Sequence, residues 1–421
     1  MQSNFLNKMS KIKIKNFGPI KDGFQSNGGW LEINKVTVFI GNQGSGKSTI
    51  AKLISTFVWI EKALVRGDYD KKWFERKDTN RFKTQFLPYH RLGATDKNKD
   101  DTYLKANSVI EYKGDAYHIK YENGTMSINE TSNEIYPLPQ VMYVPAERNF
   151  LTYIKDAGDL RLSSALRDFN TEYDKAKNSL KDLFLPINNV EVEYNKQYEN
   201  LYLRGEDYKI EITDAASGFQ SFVPLYLVSS FLAKSVKQSA SKETMSTKEK
   251  LRFEKGVQDI WNNKNLTDEQ RTVALSALSS KFNKSSFVNI VEEPEQNLFP
   301  ASQWEMLQCL LEFNNMNAGN KLILTTHSPY LISYLTLLVK AEQLESKIKT
   351  DDLRRELEKI ISIKSVVNSE DLSVYELDEI KGTIHSLETY NGLPSDENKL
   401  NAKLDEGNEL FAKLLEIQQQ L

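Results

Sequence analysis

The chain has 421 residues, a net charge of −3 and a single cysteine, Cys309, so it can build neither a disulfide framework nor a cysteine-based metal site within itself. Its first residues lack the apolar core of a secretory leader, and no apolar run approaches membrane-spanning length, which predicts a cytoplasmic protein with no membrane partner. The charge is uneven, because residues 62–105 carry 12 Lys and Arg against 7 Asp and Glu, whereas residues 341–421 carry 10 against 18. This asymmetry predicts two surfaces with different partners.

The first informative elements surround a glycine-rich turn. Residues 11–15 alternate in hydropathy like a half-buried strand, the apolar residues 36–40 predict a buried strand, and residues 50–54 predict a helix. Between that strand and that helix lies a complete phosphate-binding motif, Gly-x-x-x-x-Gly-Lys-Ser. Its glycines let backbone N–H groups turn toward an anion, Lys47 can reach the β- and γ-phosphates of ATP, and Ser48 can bind Mg²⁺. The predicted nucleotide contacts are Gly41, Asn42, Gln43, Gly44, Ser45, Gly46, Lys47, Ser48 and Thr49.

A basic segment that is rich in aromatic residues follows. Residues 62–105 continue the helix and then interleave Lys and Arg with five aromatic side chains between Trp73 and Tyr89. Two interpretations stay open: a surface for nucleic acid or an acidic trigger protein, or a solvated insertion whose aromatic residues belong to the core. Three strands separated by turns are predicted within residues 108–128, and a further buried strand is predicted at 141–144.

A second lobe is predicted further along the chain. A helix near residues 157–184 and strands within 191–212 lead to the segment Ala-Ala-Ser-Gly-Phe-Gln-Ser, where another helix begins. Ser217 and Gly218 in this segment are either an ordinary helix N-cap or part of an anion site at a helix N-terminus. Residues 234–286 are polar with apolar side chains at helical intervals, which predicts an exposed helical insertion.

A buried strand at residues 287–291 delivers two carboxylates, Glu292 and Glu293, at its carboxyl end, the edge where α/β sheets bind ligands. We assign Glu292 to Mg²⁺ and Glu293 to the attacking water, against the alternative that both are solvated acids. A strand at 321–325 is expected beside it, so that His327 faces the γ-phosphate, the alternative being a histidine that only caps the next helix. A hairpin and an amphipathic helix are predicted for the acidic C-terminal region.

Together these motifs resemble the ABC-type ATPase heads of the Rad50 and SMC kind. The order is the same along nearly the whole chain: phosphate loop, the signature Ser-Gly-Phe-Gln, an acidic strand and a switch histidine. The resemblance implies an α/β P-loop NTPase fold with a mixed core sheet, an antiparallel β subdomain and a helical signature lobe that carries a helical insertion. It also implies that Ser217, Gly218 and Gln220 of one protomer close over the ATP of another, so that the protein forms a homo-oligomer through composite ATP sites.

Two positions depart from the family pattern. Glu292 stands where the Mg²⁺ ligand is usually Asp, which keeps a carboxylate and implies slow ATP hydrolysis. Phe219 replaces the second signature glycine, which argues against a transporter subunit. Gln140 is the candidate for the family's glutamine loop. The predicted domains are an ATPase lobe at 1–150, a signature lobe at 151–286 and an ATPase core at 287–421.

The chain has no room for the long coiled coils of Rad50 and SMC proteins, and we find no Asp-x-Asp pair of a Toprim nuclease after the switch histidine. The segments Tyr-Val-Pro-Ala-Glu-Arg, Ala-Ser-Gly-Phe-Gln and Val-Glu-Glu-Pro-Glu are similar to the stand-alone ATPases of two-gene bacterial anti-phage systems of the PARIS and Septu types. This resemblance implies a separate effector protein, a nuclease, that is controlled by the nucleotide state. The alternatives are a DNA-repair or chromosome-associated ATPase, a transporter nucleotide-binding subunit, and a binding module without turnover.

Overall fold

The chain folds into alternating helices and strands arranged in several sheets. The computed structural model describes residues 10–93, 103–131, 136–153, 161–180, 183–237, 247–263, 266–267, 270–271, 274–275, 278 and 282–419. No helix in this described part of the chain is long and apolar enough to cross a membrane.

The strands and helices are numbered in chain order. The strands are β1 (Ser10–Phe17), β2 (Gly23–Phe24), β3 (Leu31–Ile33), β4 (Val36–Gly41), β5 (Leu104–Lys113), β6 (Tyr117–Glu122), β7 (Thr125–Glu130), β8 (Pro139–Val144), β9 (Leu183–Phe184), β10 (Glu191–Asn195), β11 (Asn200–Arg204), β12 (Lys209–Glu211), β13 (Ser286–Glu292), β14 (Lys321–Thr326), β15 (Leu372–Leu377), β16 (Thr383–Ser386), β17 (Thr389–Tyr390) and β18 (Leu393–Pro394). The α-helices are α1 (Lys47–Val65), α2 (Lys71–Glu75), α3 (Leu87–Tyr89), α4 (Ser164–Asn178), α5 (Ser217–Lys237), α6 (Thr247–Asn262), α7 (Pro300–Asn315), α8 (Pro329–Glu345), α9 (Asp351–Ile360) and α10 (Lys399–Gln418). Short 3₁₀ helices include Ala146–Thr152 and Ile212–Asp214, and Phe82–Phe86 forms a π-helical turn.

Among the described residues, a seven-stranded mixed sheet forms the centre of the fold, in the order β2-β16-β15-β4-β14-β13-β8. The strands from β15 to β8 run parallel, and β15 turns back into β16 as the predicted antiparallel hairpin. Every residue of β4 and β13 is buried, because hydrophobic clusters cover both faces of the sheet. Glu292 pairs with Thr325, so the acidic strand and the strand before His327 are neighbours, as the sequence predicts.

The predicted antiparallel subdomain is a sheet in which the described strands follow the order β3-β1-β5-β6-β7. Along β1, Ile12 and Ile14 are buried in the core that α1 also enters, whereas Lys11 and Lys13 lie on the opposite, outer face. This alternation is the pattern of a sheet with one face on the core and one face in solvent. The mixed α/β fold class with an antiparallel β subdomain is therefore confirmed.

The basic segment 62–105 packs its aromatic side chains into the same core. Phe74 and Phe82 are buried there, and Trp73, Phe86 and Tyr89 pack against its edge. Several basic side chains of the segment remain outside, and residues 94–102 lie outside the described part of the chain. The structure thus favours the core interpretation for the aromatic residues and leaves only the charges for a partner.

The signature lobe contains a small antiparallel sheet, in which the described strands follow the order β12-β11-β10-β9, together with α4 and α5. The predicted insertion at 234–286 starts later than expected, because α5 continues to Lys237. The insertion is described only in part: residues 238–246 lie outside the described chain, and α6 presents mostly exposed or half-exposed side chains. The predicted C-terminal helix is present as α10, and most of its described side chains are exposed, apolar ones included.

Candidate nucleotide-binding site

The glycine-rich loop lies at the carboxyl end of β4, where the chain turns into α1. Gly41, Gly44 and Gly46 have φ values of 143°, 75° and 105°, a region that side chains disfavour. A Cβ on Gly41 would lie 2.7 Å from the carbonyl oxygen of Leu377, whereas a Cβ on Gly44 would meet open space. The loop therefore packs tightly against β15 but is open at Gly44. This geometry leaves room for a phosphate to accept hydrogen bonds from the backbone N–H groups of the loop.

The other loop residues divide between solvent and interior. Asn42 and Gln43 are exposed, and Asn42 donates from Nδ2 to Glu379 Oε1 at 3.2 Å. Ser45 and Thr49 are buried, and Ser45 Oγ finds no hydrogen-bond partner among the described residues. A buried hydroxyl without a partner inside such a loop fits an anion that would accept its hydrogen bond.

Lys47 is buried at the base of the loop. Its Nζ donates to the carbonyl oxygens of Gly41 at 2.8 Å and Asn42 at 2.9 Å, and lies 3.5 Å from His327 Nδ1. Burial lowers the pKa of Lys47 to about 8, against the opposing effect of four nearby glutamates. A bound phosphate would favour the charged amine and raise this pKa again.

The two carboxylates at the end of β13 have different environments. Glu292 is buried, its Oε1 has no hydrogen-bond partner in the described chain, and Lys52 Nζ lies 3.9 Å away. Glu293 is partly exposed and has a φ of 43°, which is uncommon for a residue other than glycine. The backbone N–H of Glu293 donates to Thr325 O at 2.9 Å. Backbone strain of this kind concentrates at functional sites.

His327 links Lys47 to Glu293. Its Nδ1 lies 3.5 Å from Lys47 Nζ, and its Nε2 lies 3.6 Å from Glu293 Oε1. Burial, and after it the charge of Lys47, lower the pKa of His327, so the neutral imidazole is favoured at pH 7. The structure therefore brings the ends of three parallel strands, β4, β13 and β14, to one constellation of side chains.

The residues at this edge fit a Mg²⁺ ion. Mg²⁺ at nucleotide sites is usually held by one or two carboxylates together with substrate phosphates and water. Ser48 is half-buried in the first turn of α1, and Glu292 offers a buried carboxylate oxygen without a hydrogen bond. In the described chain there is no group of three or more His, Cys, Asp or Glu side chains that could hold a metal ion by itself.

Arg148 is a buried side chain beside the site that no sequence motif predicted to lie there. This side chain is 0% exposed and donates to four backbone carbonyls: Nη1 to Glu292 at 2.8 Å and Pro145 at 3.3 Å, Nη2 to Glu293 at 2.8 Å, and Nε to Ser221 at 3.0 Å. Burial lowers the pKa of Arg148 to about 10, which still leaves it charged at pH 7. The only sequence signal was its place in the segment Tyr-Val-Pro-Ala-Glu-Arg after β8.

Glu295 is a second residue beside the site whose contacts the sequence motifs did not predict. Its Oε1 accepts hydrogen bonds from the Thr326 hydroxyl at 2.7 Å and from the backbone N–H of His327 at 2.8 Å. Burial raises the pKa of this carboxyl. Glu295 therefore holds the backbone of His327 and fixes the position of its imidazole ring. The sequence offered one indication of this role, because Glu295 supplies a third carboxylate in the segment Glu-Glu-Pro-Glu.

The signature residues begin α5. Ser217 is exposed, Gly218 is half-buried, and a Cβ on Gly218 would lie 2.9 Å from the carbonyl oxygen of Asn297. Gln220 differs from the expectation that it contacts nucleotide, because it is buried, donates to backbone carbonyls of the preceding loop and accepts from the Tyr153 hydroxyl at 2.6 Å. Gln220 therefore anchors the start of α5 within its own chain.

Gln140 does not lie at the site. It pairs with Phe287 near the start of β13, whereas Val144 pairs with Val291 beside Glu292. The four residues from Gln140 to Val144 span about 13 Å at the usual rise of a strand. The expectation that Gln140 serves as the glutamine-loop residue is therefore wrong, and the chain that leaves the carboxyl end of β8 leads to the buried arginine instead.

Comparison with known proteins was made against families, curated proteins and solved structures. A family model described as an AAA ATPase domain matches residues 8–86 and 98–332, which is more than half of the chain. The search of curated proteins gave no match. Together with the glycine-rich loop and the sheet order, the family match confirms the predicted P-loop NTPase fold class.

Several solved structures are similar to the chain at low identity. The SMC head domain from Thermotoga maritima is 10% identical with a TM-score of 0.33, covering 91% of this chain and 99% of that one. An SMC head bound to the C-winged helix domain of ScpA is 11% identical with a TM-score of 0.33, covering 90% and 96%. A nucleotide-free ATP-binding cassette from an ABC transporter is 10% identical with a TM-score of 0.29, covering 91% and 92%. At these TM-scores, nothing about activity or partners is carried over to the present chain.

Proposed function

Because the chain belongs to the AAA ATPase domain family, we propose that it binds ATP with Mg²⁺ and hydrolyses the ATP slowly. The observation that carries this proposal is the line of contacts from Lys47 through His327 to Glu293 beside the open end of the phosphate loop. The line joins a cation for phosphate, a neutral imidazole and a carboxylate at one edge of the sheet.

Each residue has a role in this proposal. Lys47 binds the β- and γ-phosphates, while Ser48 and Glu292 hold Mg²⁺, which when bound neutralises charge on the phosphates. Glu293 accepts the proton of the attacking water, and the strained backbone fixes the direction of its side chain. His327, neutral at pH 7, donates a hydrogen bond to the γ-phosphate.

Glutamine at the two carboxylates tests these roles. Glu293→Gln should keep ATP affinity and lose about 10²-fold or more of the turnover, because an amide cannot accept the water's proton. Glu292→Gln should instead weaken the dependence of binding on Mg²⁺, since the metal loses its buried carboxylate. Titration calorimetry with and without Mg²⁺, beside a phosphate-release assay, measures both, with the exposed Glu388→Gln as a matched control. An ATP-loaded, non-turning Glu292→Gln protein would reverse the two assignments.

Lys47→Ala tests the nucleotide site as a whole. The change removes the buried ammonium that several glutamates surround, so ATP should bind more weakly and hydrolysis should stop. The same calorimetric and turnover measurements apply. Unchanged affinity and turnover in this variant would overturn the assignment of the phosphate loop.

We further propose that the head works as a homo-oligomer with composite ATP sites, as a sensor or scaffold in anti-phage defence, and that its nucleotide state controls a separate effector protein, a nuclease. Ser217 and Gly218 support the composite site, because both lie at the accessible N-terminus of α5. The resemblance to two-gene systems supports the effector. Co-purification of the native protein with its neighbours, followed by a nuclease assay with and without ATP, tests the effector directly.

For segment 62–105 we propose an acidic protein as the trigger, because its aromatic residues pack in the core or against its edge while Lys72, Arg76 and Lys77 stay exposed. Poly-glutamate serves as the model partner and should alter the ATPase rate of the wild type at low salt. Reversing the three charges to Glu should keep the basal rate and remove the response. An equal response in both proteins would show that the trigger binds elsewhere.

A further inference from the structure

The outer face of the antiparallel sheet carries a cluster of lysines around one indole. Lys11 and Lys13 lie on β1 and Lys113 lies on β5, directly opposite Lys11. Their Nζ atoms lie 5.5, 6.0 and 4.7 Å from the centre of the Trp30 ring. The ring itself is half-buried at the border of β3, also 6.1 Å from the His118 ring.

These three ammonium groups have no carboxylate partner within salt-bridge distance in the described chain. Three glutamates share this face, and Glu32 and Glu111 lie directly opposite Lys11 and Lys13 in the sheet. Their carboxylates nevertheless contact other groups: Glu111 contacts His118 at 3.3 Å, Glu122 contacts Lys120 at 2.8 Å, and Glu32 accepts from Asn27 at 3.2 Å. Lys15 extends the positive row along β1 and is exposed. The three ammonium groups converge on one side chain without a direct ion pair, so they repel one another, and a bound polyanion would relieve that repulsion.

We propose that the outer face of the antiparallel sheet binds single-stranded nucleic acid, with lysines on the phosphates and the Trp30 indole under a base. Charge complementarity selects a polyanion, and the indole among the lysines selects one that also stacks. A flat sheet that offers an aromatic ring between cationic side chains is a general way to hold unpaired bases. In the basic segment 62–105, by contrast, Phe74 and Phe82 are buried in the core, and the Trp73 ring is already covered by Arg81, whose guanidinium carbon lies 4.0 Å from the ring centre.

This surface is independent of the nucleotide chemistry. It belongs to the outer side of the sheet, whereas the inner side, with Ile12 and Ile14, packs in the core that α1 enters. Binding is therefore expected without ATP, and a failure of the proposed ATPase activity would leave this inference untouched.

The first test measures binding of a fluorescein-labelled oligo(dT) of about 20 nucleotides to the full chain by anisotropy, across about 50 to 200 mM salt. Lys11→Glu, Lys13→Glu and Lys113→Glu together should weaken binding at least tenfold and reduce the slope of log K against log salt by about 2, since each single-strand phosphate contact contributes about 0.7. The matched control reverses three exposed lysines elsewhere, Lys340, Lys347 and Lys349, and should bind like the wild type.

A less disruptive pair of substitutions controls for misfolding of the triple variant. Lys13→Gln with Lys113→Gln adds no negative charge beside Glu111 and should still weaken binding several-fold. Trp30→Phe should bind but lose the fluorescence quenching that a stacked base causes in the wild type, and Trp30→Ala should weaken binding further.

Four outcomes would overturn the proposal. They are no binding by the wild type, equal loss in the control triple, tighter binding of a duplex than of oligo(dT), and poly-glutamate binding as tightly as oligo(dT) through the same lysines. The last result would assign the face to an acidic protein instead.

Discussion

Glu61 is a buried charged side chain that the proposed nucleotide chemistry does not use. It lies in α1 with 2% of its surface exposed, its Oε1 accepts the backbone N–H groups of Ala116 at 2.7 Å and Tyr117 at 3.0 Å, and its Oε2 accepts the Tyr112 hydroxyl at 3.1 Å. Burial raises the pKa of Glu61 to about 7, against the hydrogen bonds that lower it. A single carboxyl thus ties the helix of the phosphate loop to the turn between β5 and β6.

Glu61→Gln should stabilise the protein near pH 8 and change its stability little near pH 5. The folded pKa of about 7 exceeds the ordinary value of 4.5, so the cost of burying the charge is full above pH 7 and fades as the pH falls toward 4.5. Glutamine keeps an oxygen that can accept from the two backbone donors. The size of the pKa shift sets an upper limit of about 3 kcal/mol on the gain in the free energy of unfolding. Urea unfolding at both pH values measures it, with exposed Glu358→Gln as control. A variant less stable than the wild type near pH 8 would contradict the prediction.

Single residues could be located from sequence where a strand end or a motif fixes them. Lys47, Glu293 and His327 each follow a strand with a clear apolar pattern, and parallel strands bring their carboxyl ends to one edge. The contacts of Arg148 and Gln220 within the chain could not be predicted, because each side chain bonds to backbone carbonyls or a hydroxyl that lie far from it along the chain or in an irregular loop. A single sequence carries no record of such pairings.

Three elements meet at Arg148. The residue follows β8, and its guanidinium bridges the end of β13, at Glu292 and Glu293, to the second turn of α5 at Ser221. Asn297, in the loop after β13, also donates to the Ser221 hydroxyl at 2.9 Å. We infer that Arg148 is a positioning residue, because it ties α5 to the backbone that carries the two carboxylates.

Arg148→Lys should lower kcat for ATP at least about tenfold while the affinity for ATP changes less than about threefold. A lysine keeps the charge but cannot reach several carbonyls in a fixed planar fork, so the strained backbone of Glu293 loses its support, whereas Lys47 and the phosphate loop are untouched. Leaving buried carbonyls without donors should also reduce the free energy of unfolding by about 1–3 kcal/mol. The exposed Arg91→Lys is the matched control.

Measurement of kcat per bound ATP distinguishes this role from simple destabilisation. A loss of folded protein would lower the number of ATP sites that calorimetry counts and leave the turnover per bound site unchanged, whereas loss of the positioning role lowers the turnover per bound site. Full activity in folded Arg148→Lys protein would show that the signature helix and the carboxylates are not coupled through this side chain.

At the level of secondary-structure elements, local sequence patterns predicted whether a segment forms a helix or a strand better than they predicted its position in the fold. The C-terminal hairpin was expected from alternation and turn residues, but its position beside β4, where Leu377 closes over Gly41, depends on pairing with a strand more than three hundred residues earlier. The helix after residue 54 and the strands of the antiparallel subdomain followed their hydropathy patterns closely. The π-helical turn Phe82–Phe86 carries no comparable signal, because its form depends on packing against the core.

At the scale of the whole molecule, the helix that follows the phosphate loop and the helix that begins at Ser217 lie on opposite faces of the central sheet. Val38 faces the hydrophobic cluster that contains Phe222 of α5, whereas its neighbour Phe39 faces the cluster that contains Ile50 of α1. Successive residues of a strand point to opposite faces, so α1 and α5 lie on opposite sides. Ser217 is exposed in its own chain, so the start of α5 is accessible to a second protomer, as the proposed composite site requires.

Mixing two inactive variants tests the composite site. Lys47→Ala removes the phosphate cation of one protomer, and Ser217→Arg places a long side chain at the accessible end of α5, where it should block a partner's nucleotide without disturbing the core. Each variant alone should be inactive. In a random one-to-one mixture of dimers, half of the dimers are mixed and each carries one intact site, so activity should recover to about a quarter of the wild-type rate. Lys47→Ala mixed with a Lys47→Ala, Ser217→Arg double variant is the control and should stay inactive. Mixed assembly is verified by pull-down of one tagged variant with the other. If the variants assemble but no ATPase activity recovers, each site is built within a single chain.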